Sequence, residues 1–383
     1  LHKGLYGLKQ GAKLWCDVLH DTLVKLGFVE CPVVRSLWKL QHASRGKFYV
    51  SAYVDDLQCV FERPEDWKWF CKQVSDQFDC TFSDEETSWL LKLKITRTPD
   101  ILSLTHENKI IALLEEFGMM DCRTVHSPCD PSVKLTKEQC PKPGSPEEEI
   151  MKSSPYCRYR SLVGSLNYIA QVSRPDITFA VSALSRFLAN PGPVHFQAAL
   201  RVLRYLRTCP DLPLKYRHSQ EDTSVVLSGY CDASYADDRD AGCRSQSGYV
   251  FLLNNIPIDW KSTKQQIVAK SSTEAEYTSL STCVRQAIYL RSILSFLDCE
   301  QQGATIIHED NIGAIKLADD PLAPGRARHI AVDMHIFRQH VVSGEVDIKY
   351  IATQDNIADI FTKALLPRTF LHLRNLLMDD TNE

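Results

Sequence analysis

Apolar residues in the first third of the chain follow two different spacings. Two short apolar runs, at 48–54 and 101–104, have the length and composition of strands. Another set recurs mostly every three or four residues and predicts an amphipathic helix. Its members are Leu14, Val18, Leu19, Leu23 and Leu26. The first 130 residues are therefore expected to mix helices with strands.

A different order of elements is predicted from about residue 224 onward. Three strands come first, followed by a long helix, a strand, two helices, a strand and a last helix. The strands are expected at 225–231, 248–254, near Trp260, at 305–309 and at 346–351, with the long helix from Ser272 and the last helix after Asn356. Strands followed by alternating helices and strands favour a mixed sheet flanked by helices. The fold class expected overall is α+β, or mixed α/β.

The composition changes twice in the middle of the chain. Residues 131–155 are rich in proline and glutamate, which predicts a linker or surface excursion. Residues 152–208 then contain eight Lys or Arg against a single Asp. Within them Arg201, Arg204 and Arg207 lie three residues apart, next to an apolar stripe on the same predicted helix. Such a helix has one face for a core and one for an anion, although a solvated basic face is an equal alternative.

Composition and charge exclude several classes of protein. The 383 residues, 44 % hydrophobic and 24 % charged, suit a globular chain of about two to three domains. The net charge of −4 argues against a uniformly basic nucleic-acid-binding surface. Apolar runs fall far short of the roughly 20 residues that a membrane helix needs. The 14 cysteines are scattered without two-residue spacing, which predicts reduced thiols in an intracellular protein.

Four acidic residues in the second half stand where a metal site could form. Asp232 follows the first predicted strand, Asp310 follows the strand at 305–309, Glu276 lies in the first turns of the long helix, and Asp359 lies near the start of the last one. Element ends are rigid positions, and divalent cations require several converging carboxylates. None of these residues is informative alone, because most acidic side chains are simply solvated.

Helix periodicity separates Glu276 from Glu274. Steps of three or four residues from Glu276 reach apolar residues such as Leu280 and Cys283, so Glu276 is expected to face inward. Glu274 points to the opposite side and stands at capping-box spacing after Ser271. A buried carboxylate is costly unless something compensates it, and a metal ion is one candidate.

A second acidic pair, Asp55-Asp56, follows the apolar run at 48–54. Adjacent acids after a strand are typical of a tight turn. They also suit magnesium binding for phosphoryl transfer. The dipeptide alone does not decide between these alternatives.

Two groups of short motifs follow one another along the chain. The first group lies at 5–10, Trp15, 53–56, 117–119, 159–166, 174–177 and 201–206, and the second at 247–249, 271–277, 328–330 and 358–363. The first group resembles the reverse transcriptase of copia-type LTR retrotransposon Pol, and the second resembles the ribonuclease H of the same polyprotein. The resemblance covers nearly the whole chain in the family's order. It implies a partial palm and thumb or connection, followed by an RNase H-like domain. The expected boundaries are 1–130 for the polymerase part, 131–155 for the linker, 156–220 for the basic helical connection, 222–367 for the RNase H-like domain and 368–383 for the tail.

The resemblance also implies a chemistry and a set of site residues. Asp232, Glu276, Asp310 and Asp359 would hold two Mg²⁺ ions, or Mn²⁺, about 3.5–4 Å apart and hydrolyse the RNA strand of an RNA–DNA hybrid. Contacts to 2′-hydroxyls would select RNA. Asp55 and Asp56 would be the corresponding polymerase acids. The residues expected to contact nucleic acid are Lys9, Gln10, Arg201, Arg204 and Arg207.

Three departures from the family pattern bear on activity. The polymerase needs a third aspartate on a strand upstream of the motif at 5–10, and the sequence given starts at Leu1, so we expect no DNA synthesis from it alone. Lys92 stands where the family usually has glycine. No histidine lies in the loop before Asp359, which leaves His329 and His335 as candidates for assisting turnover, or as structural or surface residues.

Three hypotheses follow. The first is a Pol fragment with RNase H activity attached to an incomplete polymerase; the alternative is a catalytically inactive remnant that only binds nucleic acid. A third, DNA strand transfer by the same acids, is disfavoured by the motif order. The expected partners are RNA–DNA hybrid, template and primer, and upstream protease and integrase, with no membrane. The expected location is intracellular, in a cytoplasmic virus-like particle or the nucleus.

Overall fold

The structure, a computed structural model, divides the chain into two compact units. It describes residues 9–83, 87–217, 225–238, 242–319 and 331–378. The first unit comprises Leu1–Glu85 and Ile288–Gln301. The second comprises Glu86–Ala287 and Gln302–Glu383. None of the described helices is long and apolar enough to cross a membrane.

The first unit contains a four-stranded antiparallel sheet in the order β1-β2-β3-β4. Its elements are α1 (Lys9–Lys25), β1 (Phe28–Glu30), β2 (Leu37–Leu40), β3 (Phe48–Tyr53), β4 (Asp56–Phe61) and α2 (Pro64–Ser75). The predicted helix and the strand at 48–54 are confirmed. Leu19 and Leu23 lie in the core, whereas Leu14 and Val18 are about half exposed, so the buried stripe of α1 is narrower than predicted.

The second unit begins with another antiparallel sheet and a group of helices. The sheet order is β5-β6-β7-β8. The elements are β5 (Thr87–Leu90), β6 (Leu93–Arg97), β7 (Ile101–Thr105), α3 (Glu107–Glu116), α4 (Pro146–Lys152), α5 (Tyr159–Val172), α6 (Thr178–Ser185), α7 (Pro193–Thr208) and β8 (Leu214–Arg217). On α7 the apolar stripe is buried as predicted, with Phe196, Leu203 and Leu206 in the core.

A mixed five-stranded sheet follows in the order β11-β10-β9-β12-β13. Its elements are β9 (Leu227–Asp238), β10 (Arg244–Leu253), β11 (Ile256–Lys264), α8 (Ser272–Phe296), β12 (Thr305–Glu309), α9 (Ile312–Asp319), α10 (Ala331–Val342), β13 (Val346–Tyr350) and α11 (Pro367–Met378). Strands β9 to β11 are antiparallel, and β12 pairs parallel with both β9 and β13. The predicted mixed sheet flanked by helices is confirmed.

Two predicted element ends differ in the structure. The strand expected to end at Cys231 continues to Asp238, because backbone pairing with β10 persists through Ala233 and Ser234. Asp232 therefore lies inside a strand and not after it. The last helix expected after Asn356 is first a 3₁₀ helix, Ile357–Phe361, and α11 begins only at Pro367, a residue favoured in the first turn of a helix.

Residues 131–155 are ordered in the second unit. They contain a 3₁₀ helix, Lys137–Gln139, and α4. Leu135 and Met151 are partly buried and pack against the main hydrophobic core of the second unit. The same core includes residues of α5 to α7, β10 and α11. The domain boundaries expected from the sequence remain a prediction.

A buried ion pair between Arg174 and Asp176 lies in the helical part of this core. The guanidinium of Arg174 donates to both carboxylate oxygens of Asp176 at 3.0 and 2.8 Å, and the side chains of both residues are almost fully buried. The hydroxyl of Tyr205 on α7 donates to the same carboxylate. Arg174 also donates to the carbonyl of Cys209 at 2.7 Å. Such a pair is costly to bury but strongly destabilising to break.

Lys92 occupies a backbone position that suits glycine. Leu91 and Lys92 form the two-residue turn between β5 and β6, with φ of +51° and +70°. Two-residue hairpin turns with positive φ at both positions prefer Gly and Asn. The hydroxyl of Tyr168 donates to the Leu91 carbonyl at 2.6 Å. The turn is thus formed despite an unfavourable side chain at residue 92.

Candidate active site

The mixed sheet and α8 bring three of the four nominated acids together. Asp232 lies on β9, and Asp310 follows the end of the adjacent parallel strand β12. Glu276 lies in the second turn of α8. One carboxylate oxygen from each of Asp232, Glu276 and Asp310 lies within 4.8 Å of the others. We call these three residues the carboxylate cluster.

The orientation of Glu276 and Glu274 matches the sequence prediction. Glu276 is only 7 % exposed. Glu274 is at the N-terminus of α8, where its N–H donates to the Ser271 hydroxyl at 3.2 Å. The Glu274 carboxylate accepts from the N–H of Lys270 at 2.7 Å. The capping role is confirmed, although the return bond reaches Lys270 and not Ser271.

Glu276 is buried without full compensation. Its Oε2 atom has no hydrogen-bond partner. Burial, followed by the negative charges of Asp232, Glu309 and Asp310, raises the pKa of Glu276 to about 11. A carboxyl group with such a pKa carries a proton at neutral pH unless a cation takes the proton's place.

The fourth acid, Asp359, stands next to the cluster. It lies in the 3₁₀ helix Ile357–Phe361 and is 5 % exposed. Burial and the neighbouring Asp232 charge raise the pKa of Asp359 to about 7, even though Lys363 opposes the shift. The ammonium of Lys363 lies 2.7 Å from Asp359 Oδ1 and 4.0 Å from Asp232 Oδ2.

Several polar side chains hold these acids in place. Asn356 donates to the carbonyl of Cys231 at 2.9 Å and accepts from the N–H of Ala358 at 3.1 Å, which ties the 3₁₀ helix to β9 beside Asp232. The hydroxyl of Thr362 donates to Asp232 Oδ2. Ser279 of α8 donates to the Asp232 carbonyl at 2.8 Å. The sequence reasoning missed these supporting roles, and only the closeness of Thr362 and Lys363 to Asp359 could have indicated them.

A fully buried acid behind the cluster was also missed. Glu309, the last residue of β12, accepts from the N–H of Asn311 at 3.0 Å and from the thiol of Cys231 at 3.1 Å. Burial raises its pKa well above the ordinary value. Whenever Glu309 is ionised, its charge is one of those that raise the pKa of Glu276.

The residues fit a hard divalent cation. Carboxylate oxygens are the donors that Mg²⁺ and Mn²⁺ prefer. Glu276 offers a buried oxygen that lacks a partner, and three oxygens from three rigid elements already converge. Asp232, Glu276 and Asp310 would hold the cation, with Asp359 beside them.

Asp55 and Asp56 belong to the first unit. They are exposed at the hairpin between β3 and β4, where Tyr53 pairs with Asp56 and Val54 has φ of +53°. The indole of Trp15 donates to the Val54 carbonyl at 2.6 Å. Among the described residues, no third His, Cys, Asp or Glu side chain joins this pair in a metal-holding group.

The three arginines of α7 have different surroundings. Arg201 contacts Asp130 at 3.3 Å, and Arg207 donates to the Cys122 carbonyl. Arg201 and Arg204 line a cleft of about 890 Å³, whereas Arg207 does not. Gln10 is exposed on α1. The side chains of Lys9, His329 and His335 lie outside the described part of the chain.

The cleft lies within the second unit and is lined by Thr362 and Lys363, which contact Asp232 and Asp359. Its walls come from α6, α7, residues 128–136, β9, β10 and residues 362–364. The basic side chains that line it are Lys134, Arg186, Arg201, Arg204, Arg244 and Lys363, against one acid, Asp130. This excess of positive charge suits a phosphate backbone.

The sequence of the chain is similar to those of a known protein family. The reverse transcriptase (RNA-dependent DNA polymerase) family matches residues 1–131. The Pol polyprotein of the Arabidopsis thaliana transposon RE1 is 35 % identical over 97 % of this chain. A putative Ty5-1 transposon protein of Saccharomyces cerevisiae is 32 % identical over 75 % of this chain and 88 % of its own length. The chain belongs to the Pol family of copia-type retrotransposons.

This Pol chain spans about a quarter of the curated Arabidopsis relative, 24 % of its length. Solved structures are similar at lower sequence identity. An LC11 ribonuclease H1 bound to an RNA/DNA hybrid matches 41 % of this chain and 99 % of its own, at 11 % identity and a TM-score of 0.28. A foamy viral protease–reverse transcriptase bound to double-stranded DNA matches 94 % of this chain and 54 % of its own, at 14 % identity and a TM-score of 0.22.

Proposed function

We propose that this Pol chain hydrolyses the RNA strand of RNA–DNA hybrids and that its polymerase part does not synthesise DNA by itself. The observation that carries the proposal is the carboxylate cluster, in which one oxygen each of Asp232, Glu276 and Asp310 lie within 4.8 Å of one another and Glu276 Oε2 is buried without a hydrogen-bond partner. Nothing comparable surrounds Asp55 and Asp56 among the described residues. The nuclease is therefore favoured over the polymerase.

The proposed chemistry divides between a bound cation and the protein. Divalent cations, when bound, supply an activated water and stabilise the leaving oxygen. The carboxylate cluster holds them, while Asn356 and Thr362 keep Asp359 and Asp232 in position. Mg²⁺ is the proposed ion, with Mn²⁺ as a substitute of the same ligand preference.

The cleft provides the substrate side of the proposal. Its basic residues, including Arg204 and Arg244, suit the phosphates of a hybrid that reaches the carboxylate cluster. RNA would be distinguished from DNA by its 2′-hydroxyls. Template and primer, and the protease and integrase of a complete element, are the other proposed partners. The proposed location is intracellular, in a particle or the nucleus.

The proposal is tested by incubating the purified chain with a labelled RNA–DNA hybrid and Mg²⁺. We expect cleavage of the RNA strand alone, abolished in Asp310→Asn and retained in the control Asp347→Asn, a half-exposed acid on β13. Intact hybrid after long incubation would contradict the proposal. Binding with a steep salt dependence but without cleavage would support the inactive remnant instead. Joining of DNA ends would indicate strand transfer.

A further inference from the structure

Lys363 places a positive charge inside the acidic site. Its ammonium lies 2.7 Å from Asp359 Oδ1 and 4.0 Å from Asp232 Oδ2, and its side chain is 37 % exposed. Asp232 thus has two sets of charged neighbours, the carboxylates of Glu276 and Asp310 and the ammonium of Lys363.

The two sides of Asp232 differ in how their charge is balanced. On the Glu276 and Asp310 side, carboxylates meet within 4.8 Å, and Glu276 Oε2 has no partner. On the Asp359 side, the Lys363 ammonium already forms an ion pair with Asp359 and offsets part of the negative charge. A divalent cation that binds among Asp232, Glu276 and Asp310 relieves the repulsion between their carboxylates. A cation that binds between Asp232 and Asp359 must first displace the Lys363 ion pair.

We propose that Lys363 is a built-in counter-ion that competes with a second divalent cation for Asp359 and Asp232. This inference rests on the proposed function of the same site. It predicts one tightly bound cation at the carboxylate cluster and a second, weaker one between Asp232 and Asp359.

The position of Lys363 also suggests what releases it. Lys363 lines the basic cleft as well as contacting Asp359. A phosphate group in the cleft would attract the ammonium away from the carboxylates. Nucleic acid and the second cation then bind with positive coupling, and each raises the affinity of the other by the same factor.

The test is a Mn²⁺ titration of the full chain, with free Mn²⁺ measured by electron paramagnetic resonance. Replacing the lysine in Lys363→Met should tighten the second site at least about tenfold, because the ion pair with Asp359 no longer has to be displaced. Lys363→Arg should retain the wild-type pattern. Lys349→Met, which removes an exposed lysine 3.6 Å from Asp347, should leave both affinities unchanged.

The outcomes separate this inference from the proposed function. An unchanged second affinity in both Lys363→Met and a second neutral variant, Lys363→Gln, would overturn the counter-ion role while leaving the first site intact. Absence of any bound Mn²⁺ in the folded wild-type chain would instead overturn the metal site itself. Circular dichroism spectra establish that each variant is folded. Adding a single-stranded DNA oligonucleotide should tighten the second site in the wild-type chain but not in Lys363→Met.

Discussion

Gly248 of β10 lies directly opposite Asp232 of β9 in the antiparallel register. A Cβ atom at position 248 would lie 2.6 Å from Cβ of Phe361 and 2.8 Å from Cγ2 of Thr362. These distances are shorter than any normal contact between carbon atoms. The absence of a side chain at Gly248 therefore lets the segment that carries Asp359 and Thr362 approach β10 beside the carboxylate cluster.

Gly248→Ala is expected to destabilise the chain by about 1–3 kcal/mol, the usual cost of overpacking a core. The new methyl group must push the segment at 361–362 outward, which also moves Asp359 and weakens cation binding. Urea unfolding and Mn²⁺ titration measure the two effects. Gly303→Ala is the control, since nothing lies within 4 Å of a Cβ at that position. Equal stability of both variants would contradict the close approach.

The cation-free chain should lose stability as pH rises. The pKa of Glu276 is raised from 4.5 to about 11 and that of Asp359 from 3.8 to about 7. Both groups therefore contribute stability that is fully present below their unfolded pKa and lost as pH rises through the folded pKa. With EDTA, each group lowers the free energy of unfolding by up to about 1.4 kcal/mol per pH unit over the range where only its folded form is protonated. We therefore expect a fall of up to about 2.7 kcal/mol per pH unit between pH 5 and 7, and about half of that between pH 7 and 8.

Urea unfolding at several pH values measures this loss, and saturating Mg²⁺ should reverse it because the cation binds only the folded state. Glu276→Gln removes one of the two titrating groups, so it should roughly halve the slope below pH 7, where Asp359 still titrates, and flatten it above pH 7. Glu274→Gln, two residues away on the same helix but at its N-terminal cap and outside the carboxylate cluster, is the control. A Glu276→Gln variant with an unchanged slope would refute the assignment.

Two arginines on one helix are expected to differ in their effect on hybrid binding. Arg204 lines the basic cleft, whereas Arg207 donates to the Cys122 carbonyl. Arg204→Gln should weaken hybrid binding and reduce the slope of log affinity against log salt by about 1, as expected for one lost phosphate contact. Arg207→Gln should leave that slope unchanged and lower stability. Fluorescence anisotropy over a salt series measures the slope for each variant. Equal slopes for the two variants would contradict hybrid binding in the cleft.

The turn at Leu91-Lys92 offers a stabilising substitution. Lys92 has φ of +70°, a conformation that costs a residue with a side chain about 1–2 kcal/mol. Lys92→Gly relieves this strain, although glycine loses more entropy on folding, so a net gain of about 0.5–1 kcal/mol is expected. Lys94→Gly in strand β6 should lower stability by a similar amount. The urea midpoints of unfolding measure the stability of both variants. A loss of stability in Lys92→Gly would contradict the predicted gain.

Much of the local structure follows from patterns that are short-range in the sequence. Glu276 was expected to face inward and Glu274 outward because helical periodicity relates each residue only to neighbours three or four positions away. The apolar stripe of α7 and the strand before Asp310 are confirmed for the same reason. The order of the motifs is visible in the sequence alone, and it indicated the family.

Only the tertiary structure decided how the acids and bases are arranged. Asp232 and Asp359 are 127 positions apart, and their closeness depends on the register of β9 with β10 and on the gap left by Gly248. Likewise, spacing grouped Arg201, Arg204 and Arg207, but long-range contacts with Asp130 and Cys122 set them apart. Periodicity determines which face a side chain occupies, whereas packing between distant segments determines what that face meets.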